Sequence, residues 1–153
     1  MLMVVAFLLL RISIAWMFLS AVPTFISKWK VTLQMVKLLF SKYVTFFSVM
    51  MIATMIVGSF SILFGIYAQI GAFLLFIQCA LGVIVHNKFA NNIARLQLSD
   101  AAEKNDQRVF GTAKSMGVVG HKTSAQKNIV LAAVMIFIVV MGSGPLSVTG
   151  NLF

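Results

Sequence analysis

The sequence predicts an all-α integral membrane protein, a single membrane domain over residues 1–153 built as a four-helix transmembrane bundle. The chain is 61% hydrophobic and only 10% charged, whereas soluble domains have roughly 25% charged residues. So few charges cannot cover a water-facing surface around the whole chain. Moreover, eleven of the twelve Lys and Arg residues lie in two polar stretches, 27–42 and 86–127. We expect these stretches to be loops on one side of a membrane.

The first predicted span covers residues 2–26. It exceeds the roughly 20 residues that a helix needs to cross the hydrocarbon core, and its only charge is Arg11. The segment lacks the basic start and the small-residue cleavage site of a signal peptide, so we expect a span that is not removed. Trp29, between Lys28 and Lys30, is typical of the point where a helix leaves the membrane.

Residues 31–44 predict a short amphipathic helix in the headgroup layer. Their apolar side chains follow helical spacing and two lysines lie among them, a pattern typical of interfacial helices. An extension of the second span is the alternative. The residues of the pattern are Val31, Met35, Leu38 and Leu39, with Lys37 and Lys42.

The 43 uncharged residues from Tyr43 to Val85 predict two spans joined by a tight turn, because they are too many for one crossing. The spans are residues 44–64 and 70–85. Gly65 allows the backbone to reverse in the turn at 65–69. Gly58 and Gly71 are small residues of the kind that let helices approach closely in lipid.

Residues 86–127 predict one long basic cytoplasmic loop, followed by the fourth span at 129–146. Phe89, Ile93 and Leu96 have the spacing of a helix on the membrane surface, and three later glycines indicate irregular structure. These glycines are Gly111, Gly117 and Gly120. The segment from Lys88 to Lys127 is too long and polar for a mere connector, which predicts a docking surface for other membrane-protein subunits.

The distribution of basic residues predicts the orientation. Four spans place both polar stretches on one side, where the Lys and Arg count is eleven against none on the other side. The positive-inside rule puts both loops in the cytoplasm and both termini outside, N-out and C-out. A three-span arrangement, with residues 2–26 cleaved or peripheral, is the alternative. We expect the bacterial cytoplasmic (inner) membrane as the location.

Few residues are candidates for chemistry. The chain has no Ser-His-Asp set, phosphate loop or paired carboxylates, so we expect no catalysis by the chain itself. Arg11, Gln69 and His86 are the candidate polar contacts for a quinone or lipid. Within a span, a cation costs about 2.5–3.5 kcal/mol at the helix centre. Arg11 either snorkels or anchors a neighbouring carbonyl, or it contacts a headgroup, a quinone or an anionic substrate.

Metal, haem and nucleic-acid functions are not expected. His86 is predicted at the membrane edge and His121 in a loop, whereas a haem needs two facing histidines inside a bundle. The Met50, Met51 and Met55 cluster is typical of core packing. The single Cys79 excludes an internal disulfide. The basic residues that give the net charge of +9 flank apolar spans. Attraction to lipid headgroups therefore explains them better than nucleic-acid binding does.

Four segments resemble the DoxX family of small four-helix membrane proteins. Residues 8–29, LLLRISIAWMFLSAVPTFISKW, resemble the first helix of that family, and residues 58–75, GSFSILFGIYAQIGAFLL, resemble its Gly-x6-Gly helix and turn. His86-Asn87-Lys88-Phe89 is similar to its His and Asn-Gly-Phe stretch. Gly142-Ser143-Gly144-Pro145-Leu146-Ser147 is similar to its closing Gly-x-Gly-Arg-x-Ser-Leu-Asp.

The chain also departs from the pattern of that family. Pro145 stands at the position of the Arg in the closing motif, and Thr149 stands at the position of its Asp. Gln69 lies near the position of the Arg in the family's turn, and the long basic loop has the character of an insertion.

The resemblance implies an accessory or scaffold subunit of a membrane oxidoreductase or respiratory-type complex. The missing polar residues favour a non-catalytic member. Two alternatives stay open: a transporter-like protein that binds a small molecule or lipid, and a quinone-reactive oxidoreductase subunit. A water-accessible cavity at Arg11 would favour the transporter, and a lateral slot near Arg11 and Gln69 would favour the quinone site.

Overall fold

The computed structural model describes residues 2–99, 103–142 and 144–149, and over these residues all regular secondary structure is helical. Four of its five helices are long and apolar enough to cross a membrane. The prediction of an all-α protein with four helices that could span a membrane is therefore confirmed. The helices are α1 (Leu2–Ser27), α2 (Trp29–Lys37), α3 (Val44–Phe64), α4 (Ala68–Ala94) and α5 (Lys104–Met141), and all except α2 are long enough to span.

The four long helices run antiparallel in chain order. α3 packs against both α1 and α4, and α4 packs along α5. One end of the bundle, called the turn end, holds the start of α1, the α3–α4 turn and the end of α5. The other end, called the basic end, holds α2 and the Lys- and Arg-rich segments. The core between the helices is apolar and includes Phe18, Ile62, Leu75, Met135 and Ile138.

Large apolar side chains also cover the outside of the bundle. Trp16 in the middle of α1 is 75% exposed, and Val57 in α3 is 61% exposed. Such a surface is unfavourable in water but suits lipid tails, because lipid tails are themselves apolar. The outward-facing side chains thus agree with the membrane assignment from helix length.

The α3–α4 turn lies at residues 65–67, within the predicted segment. Gly65 ends α3 in the left-handed region with φ 66°, a conformation that glycine adopts without steric cost. The two helices then cross closely at Gly58 and Gly71. A Cβ atom at Gly71 would lie 2.6 Å from Ser61 Cβ and 2.9 Å from Gly58 O, so this crossing requires the absence of a side chain.

The irregular loop expected around Gly111, Gly117 and Gly120 is wrong, because α5 is continuous from Lys104 to Met141. α4 likewise extends past the predicted span to Ala94, so most of segment 86–127 is helical. Each glycine costs a helix about 1 kcal/mol relative to Ala. Packing of α5 along α4 offsets this cost, and Gly117 faces Ile93 across the interface. Gly142, with φ 73°, ends the helix before the predicted boundary at residue 146.

α2 is a separate helix, so the alternative of a simple extension of the second span is wrong. Residues 38–43 separate α2 from α3, and Tyr43 there has a left-handed φ of 55°. The buried side of α2 is centred on Thr32 and Val36, whereas Val31 is exposed. The Thr32 hydroxyl donates to Phe25 O at 2.8 Å and holds α2 against the end of α1.

The α3–α4 crossing generates a prediction for two matched glycine substitutions. Gly71→Ala would force a Cβ into Ser61 and the Gly58 carbonyl, and we expect a loss of about 1–3 kcal/mol of stability. Gly120→Ala meets open space on α5, so better helix propensity should stabilise the protein by about 0.5–1 kcal/mol. Thermal unfolding of both variants in the same detergent tests this. Equal shifts of the two midpoints would contradict the close crossing.

Candidate functional site

Arg11 is buried at the turn end, with 3% of its surface exposed. Its Nε donates to Ile62 O at 2.8 Å, its Nη2 to Leu63 O at 2.6 Å and its Nη1 to Leu146 O at 2.6 Å. The last carbonyls of a helix have no partner within the helix, and a positive charge is favourable at that end of the helix dipole. The contacts of Arg11 fit an anchor for neighbouring carbonyls, and not a contact for a headgroup, a quinone or an anionic substrate.

Arg11 also fastens the segment that follows α5. Beyond Leu146, Val148 N donates to Phe64 O at 3.4 Å, and Thr149 N donates to Gly65 O at 3.2 Å. The Thr149 hydroxyl accepts from Tyr67 N at 2.9 Å. The segment 146–149 therefore lies across the α3–α4 turn and closes the turn end of the bundle.

Gln69 lies at the same end and makes a structural contact. Its side chain is buried, and its Nε2 donates to Val139 O at 3.0 Å. This bond connects the start of α4 to the end of α5. Neither Gln69 nor Arg11 lines the cavity that does open between the helices. A water-accessible cavity at Arg11 would have favoured the transporter alternative, and a lateral slot near both residues would have favoured the quinone alternative.

The bundle opens instead in its basic half, where a cavity of about 460 Å³ lies between all five helices. Methionine and phenylalanine are the most frequent residues in its wall. α1, α3 and α4 form its sides, α2 covers it toward the basic end, and α5 contributes one edge. The methionines and phenylalanines are Met17, Met35, Met50, Met51, Met55, Phe18, Phe25, Phe40, Phe46 and Phe47.

Polar groups occupy two places in this cavity. Thr54 and Gln78 lie on the α3 and α4 sides, with 3.4 Å between Thr54 Oγ1 and Gln78 Oε1. His86, Lys127 and Asn128 line the cavity where α4 and α5 meet. The cavity thus combines a large apolar volume with a cationic, hydrogen-bonding edge. This is the usual composition of a small-molecule site.

His86 is the predicted site residue that does line the cavity, and it pairs with His121. Their Nδ1 atoms are 3.0 Å apart, so the N–H of one ring donates a hydrogen bond to the nitrogen of the other ring. His121 also stacks on Phe89, with ring centroids 5.0 Å apart. The predicted placement of His121 in a loop is wrong, because α5 is helical there and carries the ring to α4. Within the described ranges, no group of three or more His, Cys, Asp or Glu could hold a metal ion.

Sequence reasoning missed the cavity because its lining residues are distant in the chain. Met50, Met51 and Met55 were expected to be core packing, and only Met55 is fully buried. Their cavity partners Met17 and Met35 come from two other helices. Periodicity reports which face of a helix is apolar, but it does not report whether the facing helices fill the space between them.

Comparison of the chain with family models, with curated proteins and with solved structures gives no match. The resemblance to DoxX proteins therefore depends on the four sequence segments alone and stays a prediction.

The Arg11 contacts generate a stability prediction. Arg11→Leu removes three hydrogen bonds from a charged donor, each worth about 1.5–3 kcal/mol, and also removes a buried charge. We expect a net loss of about 2 kcal/mol or more in stability, with release of segment 146–149. Thermal unfolding and hydrogen exchange of the C-terminal peptide measure the two effects.

Arg108→Leu is the matched control, because Arg108 is exposed on α5 and lies outside the bundle core. We expect unchanged exchange at the C-terminal peptide in this variant. Faster exchange in both variants, or in neither, would contradict the anchoring role of Arg11.

Proposed function

We propose that the protein binds one amphiphilic molecule, an apolar chain with a polar head, in the cavity of its basic half, as a non-catalytic lipid- or small-molecule-binding membrane protein. The observation that supports this most directly is the combination of about 460 Å³ of space with a methionine- and phenylalanine-rich wall. Small-molecule sites have volumes of about 300–1,000 Å³ and a few placed polar groups.

The apolar wall suits a flexible chain. Methionine side chains are unbranched and polarisable, and they adapt to ligands of irregular shape. Met50 is 46% exposed and Met51 is partly buried, so these side chains have room to move. A wall of branched residues packed to native density would offer no such adaptability.

The polar edge defines the head group. Lys127 supplies a positive charge, and the Asn128 amide can both donate and accept hydrogen bonds. Lys127, Asn128 and His86 lie beside the apolar wall on one edge of the same cavity. This arrangement favours a head that is anionic or rich in hydrogen-bond acceptors, such as a carboxylate or a quinone carbonyl.

The orientation that fits this function is N-out and C-out in a bacterial inner membrane. The basic end then faces the cytoplasm, because Lys and Arg residues are enriched in cytoplasmic segments. The polar edge of the cavity would lie in the cytoplasmic half of the bilayer. The closed turn end, held by Arg11, would lie on the outer side.

Two matched tryptophan variants test the cavity. Ala21 lines it, so Ala21→Trp should fill it and weaken binding of an anthracene-labelled fatty acid about tenfold or more. Ala80 lies exposed on α4, away from the cavity lining, so Ala80→Trp should bind like the unmodified protein. Fluorescence titration in detergent gives both dissociation constants. Equal affinity in all three proteins would contradict the proposal.

A further substitution identifies the head group. Lys127→Met should weaken binding of the labelled fatty acid and leave binding of the corresponding alcohol unchanged, since only the acid carries a charge. An equal loss of affinity for the acid and the alcohol would mean that Lys127 only maintains the shape of the cavity. That result would contradict its role as the partner of the ligand's polar head group.

A second candidate, an accessory subunit of a larger membrane complex, is supported by an apolar stripe on α5. Val109, Met116 and Val119 are 58%, 70% and 56% exposed, at i, i+7 and i+10 of one helix face. The opposite face packs on α4 through Gly117 and His121. Apolar stripes on an otherwise polar helix are typical of helix partners. An oxidoreductase as the partner is what the DoxX resemblance implies.

Co-purification after mild solubilisation tests this candidate. We expect a stoichiometric membrane protein to accompany the chain, to be lost in Met116→Glu and to be retained in Ser115→Glu, which adds the same charge beside the stripe. A monodisperse single chain under these conditions would contradict the subunit role.

A further inference from the structure

A second concave site lies outside α2, between its last turn and the last turns of α4. Its lining is basic and amide-rich, in contrast with the apolar cavity on the other side of α2. The lining residues are Lys37, Leu38, Lys88, Asn91, Asn92 and Arg95. We call this site the basic pocket.

Three positive charges converge in the basic pocket. Lys88 is fixed there, because its Nζ donates to Leu38 O, the carbonyl just after α2, at 2.7 Å. Within residues 2–99, 103–142 and 144–149, the Lys37 ammonium and the Arg95 guanidinium have neither a hydrogen bond nor an ion pair. Like charges in one concavity repel each other, and a bound anion would remove that repulsion.

The helix face that continues from the pocket indicates which kind of molecule carries the anion. Lys88, Asn91 and Arg95 lie on one face of α4, at i, i+3 and i+7. The same face continues into the span through exposed apolar residues, which include Ala80 and Ile84, the latter with 46% of its surface exposed. A polar site that continues into a lipid-facing apolar stripe matches a molecule with a charged head and apolar tails.

We propose that the basic pocket binds the phosphate group of an anionic membrane phospholipid, whose acyl chains lie along the Ala80–Ile84 face of α4. The Arg95 guanidinium offers a planar fork of donors for phosphate oxygens. Lys37 supplies a second charge, and the Asn91 and Asn92 amides supply neutral donors. Basic pockets at the ends of membrane helices bind anionic headgroups by this combination of charge and hydrogen bonds.

The test compares two charge-matched double variants in nanodiscs. Lys37→Gln/Arg95→Gln removes one Lys and one Arg from the pocket. Lys104→Gln/Arg108→Gln removes the same charge from the exposed start of α5. Native mass spectrometry counts the phosphatidylglycerol molecules that stay bound after release from discs of mixed phosphatidylglycerol and phosphatidylcholine.

We expect the unmodified protein to retain phosphatidylglycerol over phosphatidylcholine. The pocket variant should lose about tenfold or more of this preference, and the control variant less than about twofold. Equal losses in the two variants would mean a diffuse attraction to basic residues and would overturn the pocket. All four side chains are exposed, and an unchanged thermal midpoint in the pocket variant checks that it is folded.

Inorganic phosphate distinguishes a lipid from a soluble ligand. We expect millimolar phosphate to leave the retained phosphatidylglycerol largely in place, because the acyl chains add contacts along α4 that phosphate lacks. Retention of inorganic phosphate by the protein, with no preference for phosphatidylglycerol, would overturn the lipid assignment.

Discussion

The bundle depends on how it satisfies the backbone carbonyls at the end of α3. In a bilayer each unpaired carbonyl costs several kcal/mol, and α3 ends beside a turn that a second chain segment covers. The Arg11 guanidinium meets Ile62 O, Leu63 O and Leu146 O together. A lysine has a single ammonium and could not span these acceptors with the fixed geometry of a guanidinium. One side chain therefore connects α1, the end of α3 and the segment after α5.

The bundle has a closely packed half at the turn end and an open half at the basic end. At the turn end, glycines at the α3–α4 crossing and the Gln69 bond to Val139 bring the helices close together. In the basic half, methionine and phenylalanine side chains from α1, α2 and α3 border a space that the helices do not fill. Close packing resists deformation, whereas flexible thioether side chains allow it. Ligand-dependent movement is thus expected in the basic half, with the turn end as the fixed reference.

Charge and hydropathy in the sequence were enough to predict four spans. A chain must pair its backbone polar groups internally to cross lipid, so a long apolar stretch crosses as a helix. They also identified Arg11 as exceptional. They could not identify its acceptor Leu146, which lies 135 residues away in the chain. The α5 glycines misled the prediction for a different reason: propensity counts against a helix there, but packing on α4 prevails. The same error hid the contact of His121 with His86, since a loop residue has no defined neighbour. The headgroup location of α2 stays a prediction.

α2 is the element that the two proposed ligands would share. Met35 and Val36 face the apolar cavity, whereas Lys37 and Leu38 line the basic pocket. The helix has only nine residues, and an isolated helix of that length is unstable in water, so its position depends on what it contacts. A phosphate held by Lys37 and Arg95 would stabilise α2 over the cavity. By reciprocity, a molecule in the cavity that holds α2 in place would strengthen phosphate binding by the same factor. Lipid composition at the basic end would then control occupancy of the cavity through this one short helix.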